Sequence, residues 1–158
     1  MKTEINTPQG LFFDQLRDLY SMEVQLCESL PYMVSVCTNE KLRELVAGHP
    51  LKNCNQISEI ASIFERHGNS PRDDKCKAMA GLIDGGTAYL EGVQSPQMRD
   101  LMMIAHCLRV EYYEIAAYEF TTLLSGRSGM LREPEILSEL LAEEKEMAAA
   151  LMGTSINS

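Results

Sequence analysis

The stretch RDLMMIAHCLRVEYYEIAAYEF, residues 99–120, decides the fold. Its apolar side chains recur at spacings of three and four, through Leu101, Ile104 and Leu108 to Ile115 and Tyr118, with Thr122 continuing the row just beyond it, which is the period of an α-helix with one face turned inward. Glu111 falls in that inner row where a hydrophobe is expected, and Glu114 lies beside it one turn on. Ser95-Pro96 supplies a cap and a proline at the first helical position, so a long helix is expected from about 95 to 125, ending at Ser125-Gly126.

The same pattern extends in both directions. A helix from about 133 to 152 carries the row Leu137, Leu140, Glu144, Met147, Leu151, again with a carboxylate replacing a hydrophobe. Near the start, Thr7-Pro8 opens a helix expected to reach about residue 37, kinked at Pro31, with the row Phe12, Leu16, Leu19, Glu23, Leu26, Leu30, Met33. A further helix is expected over about 39–67, stopped by His67-Gly68, with Leu42, Val46, His49, Asn53, Gln56, Ile60 and Ile63 on its inner face, Lys52 at the border and Pro50 kinking it. Between about 69 and 94 the signals weaken, because Ser70-Pro71, Gly85-Gly86 and Glu91-Gly92 break a short helical stretch around Ala78 to Ile83.

Nothing reads as a strand pair, so the fold is all-α and the 158 residues form one domain. Two tight helix pairs joined by a long crossover with a short helix is the connectivity of a ferritin-like four-helix bundle.

The interrupting polar groups share a level. If the first two helices turn near residue 38, Glu23 lies about 22 Å from the turn, and the same distance down the partner reaches Asn53. In the second pair, turning near residue 128, Glu111 and Glu114 match residues near 142 to 145, a window that contains Glu144. Carboxylates converging in a bundle interior must be neutralised, since desolvation and mutual repulsion would each cost several kcal/mol. A metal ion, shared protons, buried water or a lysine ammonium can each do it.

Composition narrows the function. A formal net charge of −9 opposes binding to nucleic acid or an anionic membrane, and no apolar run serves as a signal peptide or a membrane span, so a cytoplasmic location is expected. Five cysteines without a Cys-x-x-Cys pair (Cys27, Cys37, Cys54, Cys76, Cys107) read as small buried hydrophobes. Ten methionines, among them Met98, Met102 and Met103, read as core filling, with an adaptable interaction surface as the alternative. His67 and His106 have no partner at ligand spacing and receive no role. No nucleophile, phosphate loop or nucleotide fingerprint supports a hydrolase, kinase or dehydrogenase.

The segments LFFDQLRDLYSMEVQLCESLPYM (11–33), KCKAMAGLI (75–83), residues 99–120 and LAEEKEMAAAL (141–151) together make the chain resemble the YciF-like family of bacterial ferritin-like proteins, associated with stress responses. The resemblance implies a rubrerythrin-related bundle, commonly a homodimer, with Glu23, Glu111, Glu114 and Glu144 as interior metal ligands. The chain departs from the family pattern where His-Leu-Glu-Glu-Thr is usual, reading His49-Pro50-Leu51-Lys52-Asn53, and it has Tyr112 where a histidine is common and Ala148 where an aspartate is common. No Glu-x-x-His occurs. A full di-iron centre is therefore not expected. One expectation is a degenerate site in which Lys52 replaces the metal charge and His49, Asn53 and Gln56 surround it. The alternative is a single iron or manganese ion on the four glutamates, supporting peroxide or oxygen chemistry.

Overall fold

The computed structural model describes residues 5–156, apart from the side chains of residues 49–52 and 155–156. Among the described residues there are six helices: α1 (Pro8–Val36), α2 (Glu40–Ala47), α3 (His49–Arg66), α4 (Lys77–Gly92), α5 (Pro96–Arg127) and α6 (Glu133–Ile156). No residue among them is a strand. The chain is an all-helical bundle, with α1 packed on α2, α3 and α5, α5 paired with α6, and α4 laid across α5 and α1.

The helix starts follow from local chemistry. The Thr7 hydroxyl accepts from the Gly10 N–H at 3.0 Å, Asn39 Oδ1 from Leu42 N–H at 3.0 Å, and Ser95 Oγ from Met98 N–H at 3.4 Å. At α4 the cap is a thiol, the Cys76 Sγ accepting from Met79 N–H at 3.4 Å. The α2 entrance has a second support from α5: the buried Asp100 carboxylate accepts from the Thr38 and Asn39 N–H groups, both at 2.8 Å. Glycine ends α3 as expected, Gly68 sitting at φ +60° while Asn69 N–H reaches back to the Phe64 carbonyl at 2.9 Å.

Two expectations are corrected. The helix expected over 39–67 is two helices, because Pro50 has no N–H to give the preceding turn and the backbone breaks at Gly48, leaving Pro50 in the first turn of α3. By contrast α1 continues through Pro31 to Val36. The crossover helix is longer than Ala78 to Ile83, running through Gly85-Gly86 to Gly92. Its glycine is retained for packing: a Cβ on Gly86 would lie 2.1 Å from the His106 ring of α5. As expected, α5 ends close to Ser125-Gly126, at Arg127, and Gly129 at φ +72° turns the chain back.

The apolar core falls into two clusters. One surrounds Phe12, Leu16, Leu19, Ile60, Phe64, Tyr118, Leu137 and Leu140, and the other surrounds Leu30, Leu42, Val46, Met103, Cys107, Met147 and Leu151. On α6 the divide falls between Leu140 and Met147, the two sides of Glu144. The polar layer is thus closed along the bundle by apolar side chains at both ends.

Candidate metal centre

Glu23 of α1, Glu111 and Glu114 of α5, and Glu144 of α6 are all buried, as are Asn53 and Gln56 of α3. Each replaces a hydrophobe in a helical row, or in the case of Glu114 stands beside one, so the packing that buries the row buries the polar group with it. One carboxylate oxygen from each of Glu23, Glu114 and Glu144 lies within 4.8 Å of the other two. Glu111 is outside that trio, one turn earlier on α5, yet close enough to act on Glu114 electrostatically.

Helix α3 faces this cluster with amides. Asn53 Nδ2 donates to Glu23 Oε2 at 2.9 Å, and Gln56 Nε2 donates to Glu144 Oε1. The Glu23–Asn53 contact is the pairing that equal distances from the hairpin turn require. The side chains of His49 and Lys52 lie outside the described residues.

Tyr118 is a member of the layer that the row pattern presents only as core. Its hydroxyl donates to Glu23 Oε1 at 2.7 Å, and its phenol is held well above its ordinary range by burial, then by the charge of Glu23. Its position four residues after Glu114 and seven after Glu111 is the signal in the sequence, since those spacings share a helix face.

Glu114 carries the strongest electrostatic conflict. Burial raises its pKa well above the usual carboxylate range, and Glu23, Glu144 and Glu111 raise it further. Both of its oxygens are buried, and among the described residues no donor is placed on them. A proton is thereby favoured between Glu114 and Glu23. A hard cation is the other species these oxygens suit, because carboxylates from three helices already converge within coordination range.

Among the described residues no histidine reaches the trio. The amide oxygens of Asn53 and Gln56 become acceptors if the groups turn about their last side-chain bonds.

Of two departures from the family pattern, Tyr112 is 60% exposed, about 100° around α5 from Glu111, whereas Ala148 is buried one turn after Glu144 on α6 and also borders the outer groove between α5 and α6. His67, given no role by spacing, joins α3 to α6 through Glu133 at 3.1 Å and packs edge-on against Phe13.

The fold and this layer define a class: helical bundles with a carboxylate cluster enclosed between helices. Residues 7–155 match the family described as a domain of unknown function, DUF892. The chain is 32% identical over 154 residues to protein YciF of Escherichia coli (strain K12), covering 97% of this chain and 93% of that protein. The crystal structure of the E. coli stress protein YciF superposes with a TM-score of 0.92 at 32% identity, over 96% of both chains. YcfI from Rhodopseudomonas palustris superposes with a TM-score of 0.91 at 28% identity, again over 96% of both. The chain belongs to this YciF-like DUF892 family.

Proposed function

We propose that the protein is a stress-associated ferritin-like bundle with a reduced carboxylate centre, one that takes a single iron or manganese ion and lacks the ligands for a pair. The stress association rests on the E. coli relative, described as a stress protein. The observation that carries the metal reading is Glu114, whose two buried oxygens meet no donor among the described residues while Glu23 and Glu144 converge beside them.

Glu23, Glu114 and Glu144 would hold the ion, with Glu111 contributing negative charge and Asn53 and Gln56 offering carbonyl oxygens. When bound, such an ion supplies positive charge and, for iron or manganese, one-electron redox capacity. The chain's own part is to orient and exclude: Tyr118 holds Glu23 in place, and the apolar clusters on both sides keep water away. Without metal, a proton on Glu114 relieves the repulsion. The Lys52 ammonium is the competing source of positive charge.

Elemental analysis tests this. Chelator-treated protein loaded anaerobically with iron(II) or manganese(II), then desalted, is expected to retain a single ion per chain. Two ions per chain would restore the di-metal reading, and none would leave protons or Lys52 as the neutralising charge.

The family resemblance suggests a homodimer, and exposed Tyr112, Phe120, Leu123 and Met152 on α5 and α6 offer an apolar face for it. Light scattering on the purified protein should give twice the chain mass of 17.7 kDa, and a monomer at micromolar concentration would refute it. Among the described residues no helix is long and apolar enough to cross a membrane. We place the protein in the cytoplasm on its sequence, whose net charge of −9 opposes binding to nucleic acid or an anionic membrane.

A further inference from the structure

We infer that Cys27 and Cys54 form an oxidisable pair whose disulfide bond joins α1 to α3 beside the carboxylate layer. The five cysteines are all free thiols, but they differ in surroundings. Cys37, Cys76 and Cys107 are buried, whereas Cys27 is half-buried and Cys54 is exposed. Cys27 of α1 and Cys54 of α3 are neighbours across the α1–α3 contact, each thiol within electrostatic reach of the other. The helices are already held at this level, one turn before Cys27 and one residue before Cys54, by the Glu23–Asn53 bond of 2.9 Å. A disulfide bond requires Cα atoms about 4.4–6.8 Å apart, so closing the pair draws α1 and α3 to that separation at this level.

Exposure assigns the roles. Cys54 meets the oxidant, and Cys27, whose thiol is pushed up by burial and by its neighbour Cys54, follows. With a hydroperoxide, the Cys54 sulfur attacks one peroxide oxygen and the O–O bond breaks. Cys54 becomes a sulfenic acid, and the leaving oxygen departs as water when the oxidant is hydrogen peroxide. The Cys27 sulfur then attacks the Cys54 sulfur, the S–S bond forms, and the sulfenic oxygen leaves as a second water carrying the thiol proton. Two thiols lose two electrons in total, and one peroxide is reduced to two waters.

The bond would enclose all of α2 and the break at Gly48 in a covalent loop. Oxidation would thus tie down the interrupted part of the bundle and keep Asn53 on Glu23. This inference stands apart from the metal reading, because it uses neither the ion nor Glu114.

The test uses the full chain treated with hydrogen peroxide and then with an alkylating agent. Mass spectrometry is expected to show the loss of two hydrogens, a peptide linkage between Cys27 and Cys54, and complete reversal by dithiothreitol. Cys27→Ser and Cys54→Ser should each abolish the linkage while retaining the wild-type circular dichroism spectrum. The oxidised wild type should melt about 5–10 °C higher than the reduced form, and neither variant should show that rise. Chains linked to each other through Cys54, or sulfinic acid on Cys54 without the intrachain bond, would overturn the inference.

Discussion

Replacing Glu114 with Gln is expected to raise the melting temperature of the metal-free protein at pH 8 by about 3–8 °C, an effect of about 1–3 kcal/mol, while abolishing metal retention. Glutamine keeps the shape, removes the charge and offers an N–H to the Glu23 or Glu144 carboxylate that crowds it. The pH dependence supplies the sharper signature. The folded-state pKa of Glu114 is raised, by burial first and by three neighbouring carboxylates second, well above the ordinary value of 4.5. Below that value the group is protonated whether folded or not, and its contribution to stability is fully present. As pH rises, the unfolded chain loses the proton while the folded chain keeps it, so stability falls by up to about 1.4 kcal/mol per pH unit until the folded pKa is passed. Titrations outside the carboxylate layer are common to both proteins and cancel in the comparison, whereas Glu23, Glu144 and Glu111 titrate together with Glu114 and add to the difference. Urea denaturation of chelator-treated wild type and Glu114→Gln from pH 5 to pH 8 should therefore diverge as pH rises. Parallel curves would mean that Glu114 is not the site of the conflict.

Gly86→Ala should lower stability by about 2–4 kcal/mol, or about 5–15 °C in melting temperature. Helix propensity alone predicts the opposite sign, since alanine in a helix interior is favoured over glycine by about 0.5–1 kcal/mol. The added Cβ would stand 2.1 Å from His106 Cε1 and Nδ1 and 2.6 Å from Cγ, so the whole ring must move, and that ring is buried. Gly85→Ala is the natural comparison, because nothing lies within 4 Å of its Cβ position and the residue is exposed. It should stabilise the helix by roughly the propensity difference of 0.5–1 kcal/mol. In the double variant Gly86→Ala, His106→Ala, the penalty of the glycine substitution should largely vanish. Equal gains from Gly85→Ala and Gly86→Ala in thermal melts would show that α4 does not pack closely on α5.

These two residues also show where the sequence runs out. Glu114 is legible, because it stands beside a row of hydrophobes at helical spacing, and any helix that buries the row buries the carboxyl group. Gly86 is not legible in the same way. Read locally, Gly85-Gly86 marks the end of a helix, yet α4 continues because α5 supplies His106 as a neighbour that only a hydrogen side chain admits. The break at Gly48 lies between these cases: Pro50 announces a disturbance, but whether the chain bends or separates into α2 and α3 depends on packing against α1 and α6.

The all-helical architecture, the helix starts at Thr7 and Ser95, and the presence of interior carboxylates were settled by the order of residues alone. Helical periodicity and end capping are short-range effects, acting over three or four positions along one chain segment. Only the tertiary structure decided that Glu23, Glu114 and Glu144 form the close trio while Glu111 stands apart, that Tyr118 holds Glu23, and that Cys27 meets Cys54. Such groupings depend on how helices distant in sequence rotate and slide against one another. A shift of one residue along a helix moves a side chain by about 1.5 Å and turns it by about 100°, enough to make or break each of these contacts.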